Sequence, residues 1–240
     1  MSVFRFFSLL AVAALATGCM TIPTIRTITG AGRQTTRRYD LAGFTKLNIS
    51  SAFTADVARA AGYKVEVTVD DNLLDHLAVR VSGDTLYIGL APGIVIQGAA
   101  KMAAVTLPEL TGLDLSGATR ATVSGFSSDK GLSVTVTGAS RLSGDIACGD
   151  VRFDVSGASL VELSGSARGL RANVSGASTL ALEDFPAADV SVEVSGASRA
   201  TVNVRGTLDA SASGGSTILY IGDPASVRAH TSGASTVRPR

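Results

Sequence analysis

The sequence has no tryptophan, and aromatic residues make up only 5% of its 240 positions. Its 45% apolar content is therefore carried by Ala, Val, Leu and Ile. Together with 26 glycines, these residues favour strands and turns over helices. Neither sign of charge is in excess: 21 basic and 20 acidic residues leave a net charge of +1, and no electrostatic footprint for nucleic acid is visible. Histidine is scarce, and His76 and His230 lie too far apart for metal-ligand spacing. No Gly-rich phosphate loop with a lysine is present, so no nucleotide or other cofactor is expected. The long apolar run at residues 6–16 is too short for a membrane-spanning helix.

Cysteine is nearly absent as well, and the two that occur have different meanings. Cys19 closes the stretch "MSVFRFFSLLAVAALATGCM", in which Arg5 precedes the apolar run and small residues follow it. That is the layout of a secretory signal over residues 1–18. The tetrapeptide "ATGC" resembles a bacterial lipobox, with Leu15 one place early. The resemblance implies that Cys19 is lipidated and becomes the mature N-terminus. Met20 in the next position, by the same resemblance, implies sorting to the outer membrane, facing the periplasm or the surface. Cys148 lies in the strand-like "GDIACGDV" with no partner and no nearby histidine, so it reads as a buried, unreactive thiol.

Residues 19–36 are Thr-rich with no sustained period and read as a flexible, lipid-anchored tether. From Arg37 onward apolar and polar residues alternate in short runs, as in half-buried strands. "YKVEVTV" (63–69) puts Tyr63, Val65, Val67 and Val69 on one face, "LAVRV" and "TLYIGL" flank an "SGD" turn, and "MAAVTL" follows a Gly-rich loop. The one helical candidate, "DDNLLDHL" (70–77), reads better as a turn between strands.

Beyond residue 108 the chain repeats. "SGAS" or a close variant recurs around Gly117, Gly138, Gly157, Gly176, Gly196, Gly214 and Gly233, at intervals of 18 to 21 residues. Such a period is the signature of a solenoid. Aligned on these glycines, the columns two and four before and four and six after are mostly apolar, while the column three before is polar. The copies thus predict an all-β, right-handed parallel β-solenoid, with rungs of about 20 residues and SGAS corners. In each corner Gly supplies positive φ, the following Ala points into a crowded bend, and the two flanking hydroxyls stack into ladders. "ISSAFTADV" (49–57) has the same pattern as "VSGASLVEL" (155–163). Residues 37–107 therefore read as a diverged end of the regular stack at 108–240.

The opening "RRYDLAGFTKLNISSAFTADV", then "DDNLLDHLAVRVSGDTLYIGL", "VTLPELTGLDLSGATRATV" and the serial SGAS copies resemble the putative auto-transporter adhesin, head GIN domain family, over residues 37–240. The resemblance implies a secreted or lipid-anchored envelope β-solenoid and offers no catalytic motif. The expected function is non-enzymatic binding or scaffolding at the cell envelope, with membrane contact through the lipid and envelope polysaccharide or protein as partner. The alternative is a polysaccharide-binding or polysaccharide-degrading β-helix. Because the corner repeats, ligand contacts are sought in columns that vary: Arg120, Arg141, Glu162 and Glu183. The last copy, "TSGASTVRPR", has no capping element after it, so pairing of solenoid ends is a further expectation.

Overall fold

A computed structural model describes residues 25–240. The signal segment and Cys19 lie outside the described residues. The first strands are β1 (Arg26–Thr29), β2 (Gln34–Tyr39), β3 (Lys46–Ile49), β4 (Thr54–Arg59), β5 (Lys64–Asp70), β6 (Leu77–Ser82), β7 (Thr85–Leu90), β8 (Ile94–Gln97) and β9 (Met102–Leu107). The regular stack is built from β10 (Gly112–Leu115), β11 (Arg120–Ser127), β12 (Leu132–Val136), β13 (Arg141–Val155), β14 (Leu160–Val174), β15 (Thr179–Val194), β16 (Arg199–Ala212), β17 (Thr217–Ile221), β18 (Ser226–Thr231) and β19 (Thr236–Pro239). The result is a β-solenoid of stacked parallel coils of about 19 residues.

Alternation drives the stacking. Val136 pairs in register with Val155, Val155 with Val174, Val174 with Val194 and Val194 with Ala212, and all five are buried. The column after the corner behaves alike, with Leu142, Val161, Leu180, Ala200 and Ile218 at 4% exposure or less. One coil cannot bury such a face; its neighbours above and below do. Phe185, from a return between coils, fills the interior edge-on to Phe153 at 6.4 Å between ring centroids.

The N-terminal part joins the same stack, but not in chain order. β3 lies between β10 and β7, with Leu47 opposite both Leu113 and Leu86. Similarly, β4 lies between β11 and β9. The coil formed by residues 85–107 is thus outside the coil formed by residues 46–59. Beyond it the pairing turns antiparallel: β6 on β7, β5 on β9, and β2 on β5. The outermost strand, β2, is the polar sequence QTTRRY, which blunts the sheet edge.

Two expectations need correction here. Residues 70–77 are not a plain turn: Asp71–His76 forms a 3₁₀ helix that buries Leu73. Asp70 does not cap it through its side chain; its Oδ2 accepts the N–H of Gly32 at 2.8 Å instead. Residues 25–36 are also not a loose tether. β1 pairs in parallel with β8, and β2 begins at Gln34. Four residues of alternation are too few to recognise locally, and the partner strand lies far along the chain.

At the other end, β18 and β19 pair only with β16 and β17 among the described strands. Thr231 and Ala229, which stack on Ala212 and Ala210, are exposed there.

Candidate functional site

The corners come first because they fix everything beside them. Their glycines have φ between 65° and 82° at Gly117, Gly138, Gly157, Gly176, Gly196, Gly214 and Gly233. At Gly176 a Cβ would also sit 2.5 Å from the carbonyl oxygen of Gly157. Left-handed backbone and close approach of the next coil therefore both select glycine.

The Ala after the glycine does not point inward as expected. Ala118, Ala139, Ala158, Ala177 and Ala197 are exposed. The left-handed turn carries the fourth residue inside instead: Thr119, Ser140, Ser159, Ser178, Ser198 and Ser216 are all buried. Their hydroxyls turn back on the corner itself. Ser140 Oγ donates to the Thr137 carbonyl at 2.7 Å, and Ser159 Oγ to that of Ser156 at 2.8 Å. Three of the corner hydroxyls, those of Ser140, Ser178 and Ser198, also accept a backbone N–H from an adjacent coil. Thr119 N–H donates to Ser140 Oγ at 3.2 Å, Ser159 N–H to Ser178 Oγ at 3.3 Å, and Ser178 N–H to Ser198 Oγ at 3.2 Å. The ladder thus runs through one of the two flanking hydroxyls, and mainly through backbone. The only hydroxyl–hydroxyl contact in it, among the described residues, is Ser216 with Ser235 at 3.4 Å.

The corners come in two forms. Ala118 and Ala139 share the left-handed region with their glycines, at φ 65° and 74°. There Ala118 N–H donates to the Gly138 carbonyl. From Gly157 onward the direction reverses, and Ala177 N–H donates to the Gly157 carbonyl at 2.8 Å.

With the corners satisfied internally, chemistry is left to the outward columns. A groove of about 630 Å³ runs along the stack between them, its floor formed by the core residues Leu132, Val151, Leu170 and Val190 of successive coils, each 3–5% exposed. Polar residues stand beside them: Arg152, Arg171, Asp150, Asp189 and Asp209. At about 4.8 Å per coil, the groove from Leu132 to Val190 follows the axis for roughly 15 Å. Arg152 and Arg171 are register partners on adjacent coils. Arg152 grips Asp154 through Nε at 2.8 Å and Nη2 at 3.1 Å, whereas Arg171 makes no ion pair with a described residue.

Asp150 and Asp154 are held as anions. Hydrogen bonding from Arg168 keeps Asp150 below its usual carboxylate range, against a smaller opposing effect of burial. Burial pushes Asp154 up, but hydrogen bonds from Arg152 and Asn173 outweigh it and leave this carboxyl lowered too. Asp189 accepts the Thr207 hydroxyl at 2.6 Å. Nearby Cys148 is half-buried, and desolvation, with the charge of Asp150, pushes its thiol up to about 11.

The four contact residues singled out from sequence do not form one site. Arg120 and Arg141 are exposed register neighbours on the strands that follow the corner. Glu162 and Glu183 meet in a separate depression of about 630 Å³, where Arg240 Nη1 lies 2.8 Å from Glu183 Oε1. The groove of Arg152 and Arg171 was missed, although the fifth column before each corner glycine reads Gly112, Ser133, Arg152, Arg171, Ser191, Asp209 and Arg228. Two adjacent arginines among small residues were the available signal.

The fold recurs in solved structures. A putative adhesin from Bacteroides fragilis superposes with a TM-score of 0.84 at 18% identity, covering 89% of this chain and 100% of that one. A putative adhesin from Parabacteroides merdae gives 0.71 at 16% identity, over 89% and 99%. A protein from Parabacteroides distasonis, described as a putative lipid binding protein, gives 0.70 at 19% identity, over 90% and 100%. At these identities the likeness carries the fold. No curated protein matches the sequence. Residues 43–224 match the model of the putative auto-transporter adhesin, head GIN domain, and the chain belongs to that family.

Proposed function

We propose that this chain is a lipid-anchored, non-enzymatic protein of the bacterial outer membrane that binds an extended envelope or surface polymer along the Arg152–Arg171 groove. The observation that carries the reading is the groove's form: a line of positions on successive coils, over an apolar floor that is only 3–5% exposed, with the Arg171 guanidinium beside it. Such a line suits a chain-like partner, and the planar fork of Arg171 suits an anionic group on it. The lowered carboxyls of Asp150 and Asp154 support binding over polysaccharide cleavage, because a general acid needs its value raised. The family's adhesin description agrees with a binding role.

Two experiments test the two halves of the reading. Mass spectrometry of the membrane-extracted protein should find a diacylated N-terminal peptide beginning at Cys19, and Cys19→Ser should release the protein from membranes. An unmodified Cys19 rejects the anchor. For the groove, purified protein is applied to arrays of acidic and neutral glycans. Binding should be lost in Arg171→Glu and kept in Arg120→Glu, which changes the other strand; equal behaviour of the two variants rejects the groove.

A further inference from the structure

The ribbon of β1 and β8 is made from two segments with a shared composition. No acidic residue precedes Asp40, and none lies between Asp84 and Glu109. These are the two longest acid-free stretches of the sequence. The fold lays one on the other, with Thr27 opposite Val95 and Ile28 opposite Ile96. Ile28 and Ile96 pack on the core, so the alternate positions face outward. On that outer face Ile25 is 70% exposed and Val95 45% exposed. The two sit diagonally across the strand pair, close enough to form one patch. Arg26, between Ile25 and Thr27 in sequence, has the parity of Ile28 but is exposed at the start of this edge strand.

Of the acids that pack near the ribbon, two are satisfied in place and one, Asp75, stays largely exposed. Asp70 is buried and bound to the N–H of Gly32, Asp71 pairs with Arg33, and Asp75 faces Arg37 at 4.0 Å. An apolar patch with basic neighbours and no free acid of its own is the surface chemistry of an interfacial membrane contact.

We infer that the outer face of the β1–β8 ribbon rests on an anionic lipid surface and is the membrane-facing foot of the solenoid. The inference builds on the lipid-anchor reading of Cys19. Only residues 20–24 separate Cys19 from Ile25. Six Cα steps reach at most about 20 Å, so a lipidated Cys19 keeps the ribbon within that distance of the headgroups. Ile25 and Val95 then enter the headgroup boundary, and the long Arg26 side chain, which starts on the opposite face of this edge strand, snorkels around it to lipid phosphate.

The absence of tryptophan makes the test direct, since a single introduced Trp reports alone. Val227 provides the control, being an exposed apolar residue of β18 at the far end. Full-length lipidated protein carrying Ile25→Trp, Val95→Trp or Val227→Trp is reconstituted into vesicles of phosphatidylcholine and phosphatidylglycerol with brominated acyl chains. In the first two variants the emission should shift to the blue and be quenched; in Val227→Trp it should stay as it is without vesicles. Adding Arg26→Glu to Val95→Trp should weaken the quenching. Protein that floats with the vesicles yet shows equal emission from Val95→Trp and Val227→Trp overturns the foot while leaving the anchor standing. Protein that does not float overturns both.

Discussion

Replacing Ser140 by Ala tests the central structural claim, that the fourth corner residue ties adjacent coils together. Ser140 is fully buried. Its hydroxyl donates to the Thr137 carbonyl at 2.7 Å and accepts the Thr119 N–H at 3.2 Å. Truncation removes both bonds and leaves the Thr119 N–H buried without a partner. An unsatisfied buried donor costs about 1–3 kcal/mol, so the expected loss is about 2 kcal/mol. With a urea slope of about 2–3 kcal/mol/M, the unfolding midpoint should fall by roughly 0.7–1 M at unchanged slope. Hydrogen exchange should show the loss locally, as faster exchange of the Thr119 amide. Ser156→Ala is the control, because that hydroxyl makes no hydrogen bond with a described residue; it should stay within about 0.5 kcal/mol of the parent. The reasoning is refuted if the two variants have the same midpoint. It is also refuted if Ser140→Ala shifts the midpoint while the Thr119 amide keeps its protection.

Three further outcomes follow from the corner geometry and the titrating groups. Ala139→Gly should be neutral to stabilising, since relief of about 1–2 kcal/mol of left-handed strain exceeds the roughly 0.4–1 kcal/mol of unfolded-chain entropy. Ala177→Gly, lacking that strain, should destabilise by about 0.4–1 kcal/mol, and matching thermal shifts for the two would contradict the two corner forms. Cys148, with its thiol raised to about 11, should resist iodoacetamide in the native protein at neutral pH and react promptly in urea. Asp150 and Asp154 have folded values below their unfolded ones, so their contribution is present above the unfolded value near 4 and lost as pH falls through the folded value. Acid titration of stability should therefore show a loss below about pH 4 that shrinks in Asp154→Asn.

The sequence made the regular stack readable because two periods coincide there. Strand alternation puts Val155 and Phe153 inside, and the coil period sets Val174 and Ala172 directly on them. Neither period reaches the capped end. β1 meets β8 across an interval with no repeat, β2 and β5 run antiparallel, and the coil of residues 46–59 lies inside the coil of residues 85–107. Pairings of that kind depend on which edges remain open after the rest has folded, and no local pattern encodes them. The corner was readable in its glycine and misread in its alanine, because the side-chain direction after a left-handed residue cannot be inferred from size alone. Glu183 meets Arg240 beside a register shift between Leu182 and Pro186, which no column of the repeat announces.

The groove was hidden for a different reason, and that reason bears on function. Arg152 and Arg171 stand opposite each other on adjacent coils, an arrangement that disfavours the fold by about 0.2–1 kcal/mol for directly facing like charges. Asp154 neutralises Arg152 in place. Arg171 receives no such partner among the described residues, so stacking gives no reason for an arginine there. In the same column Ser133 and Ser191 show that a small polar residue satisfies the coil. Arg171→Ser should therefore leave the urea midpoint unchanged or slightly raised while removing ligand binding. A substantial drop in stability would mean that Arg171 serves the stack, and the groove would lose its one side chain that the fold does not explain.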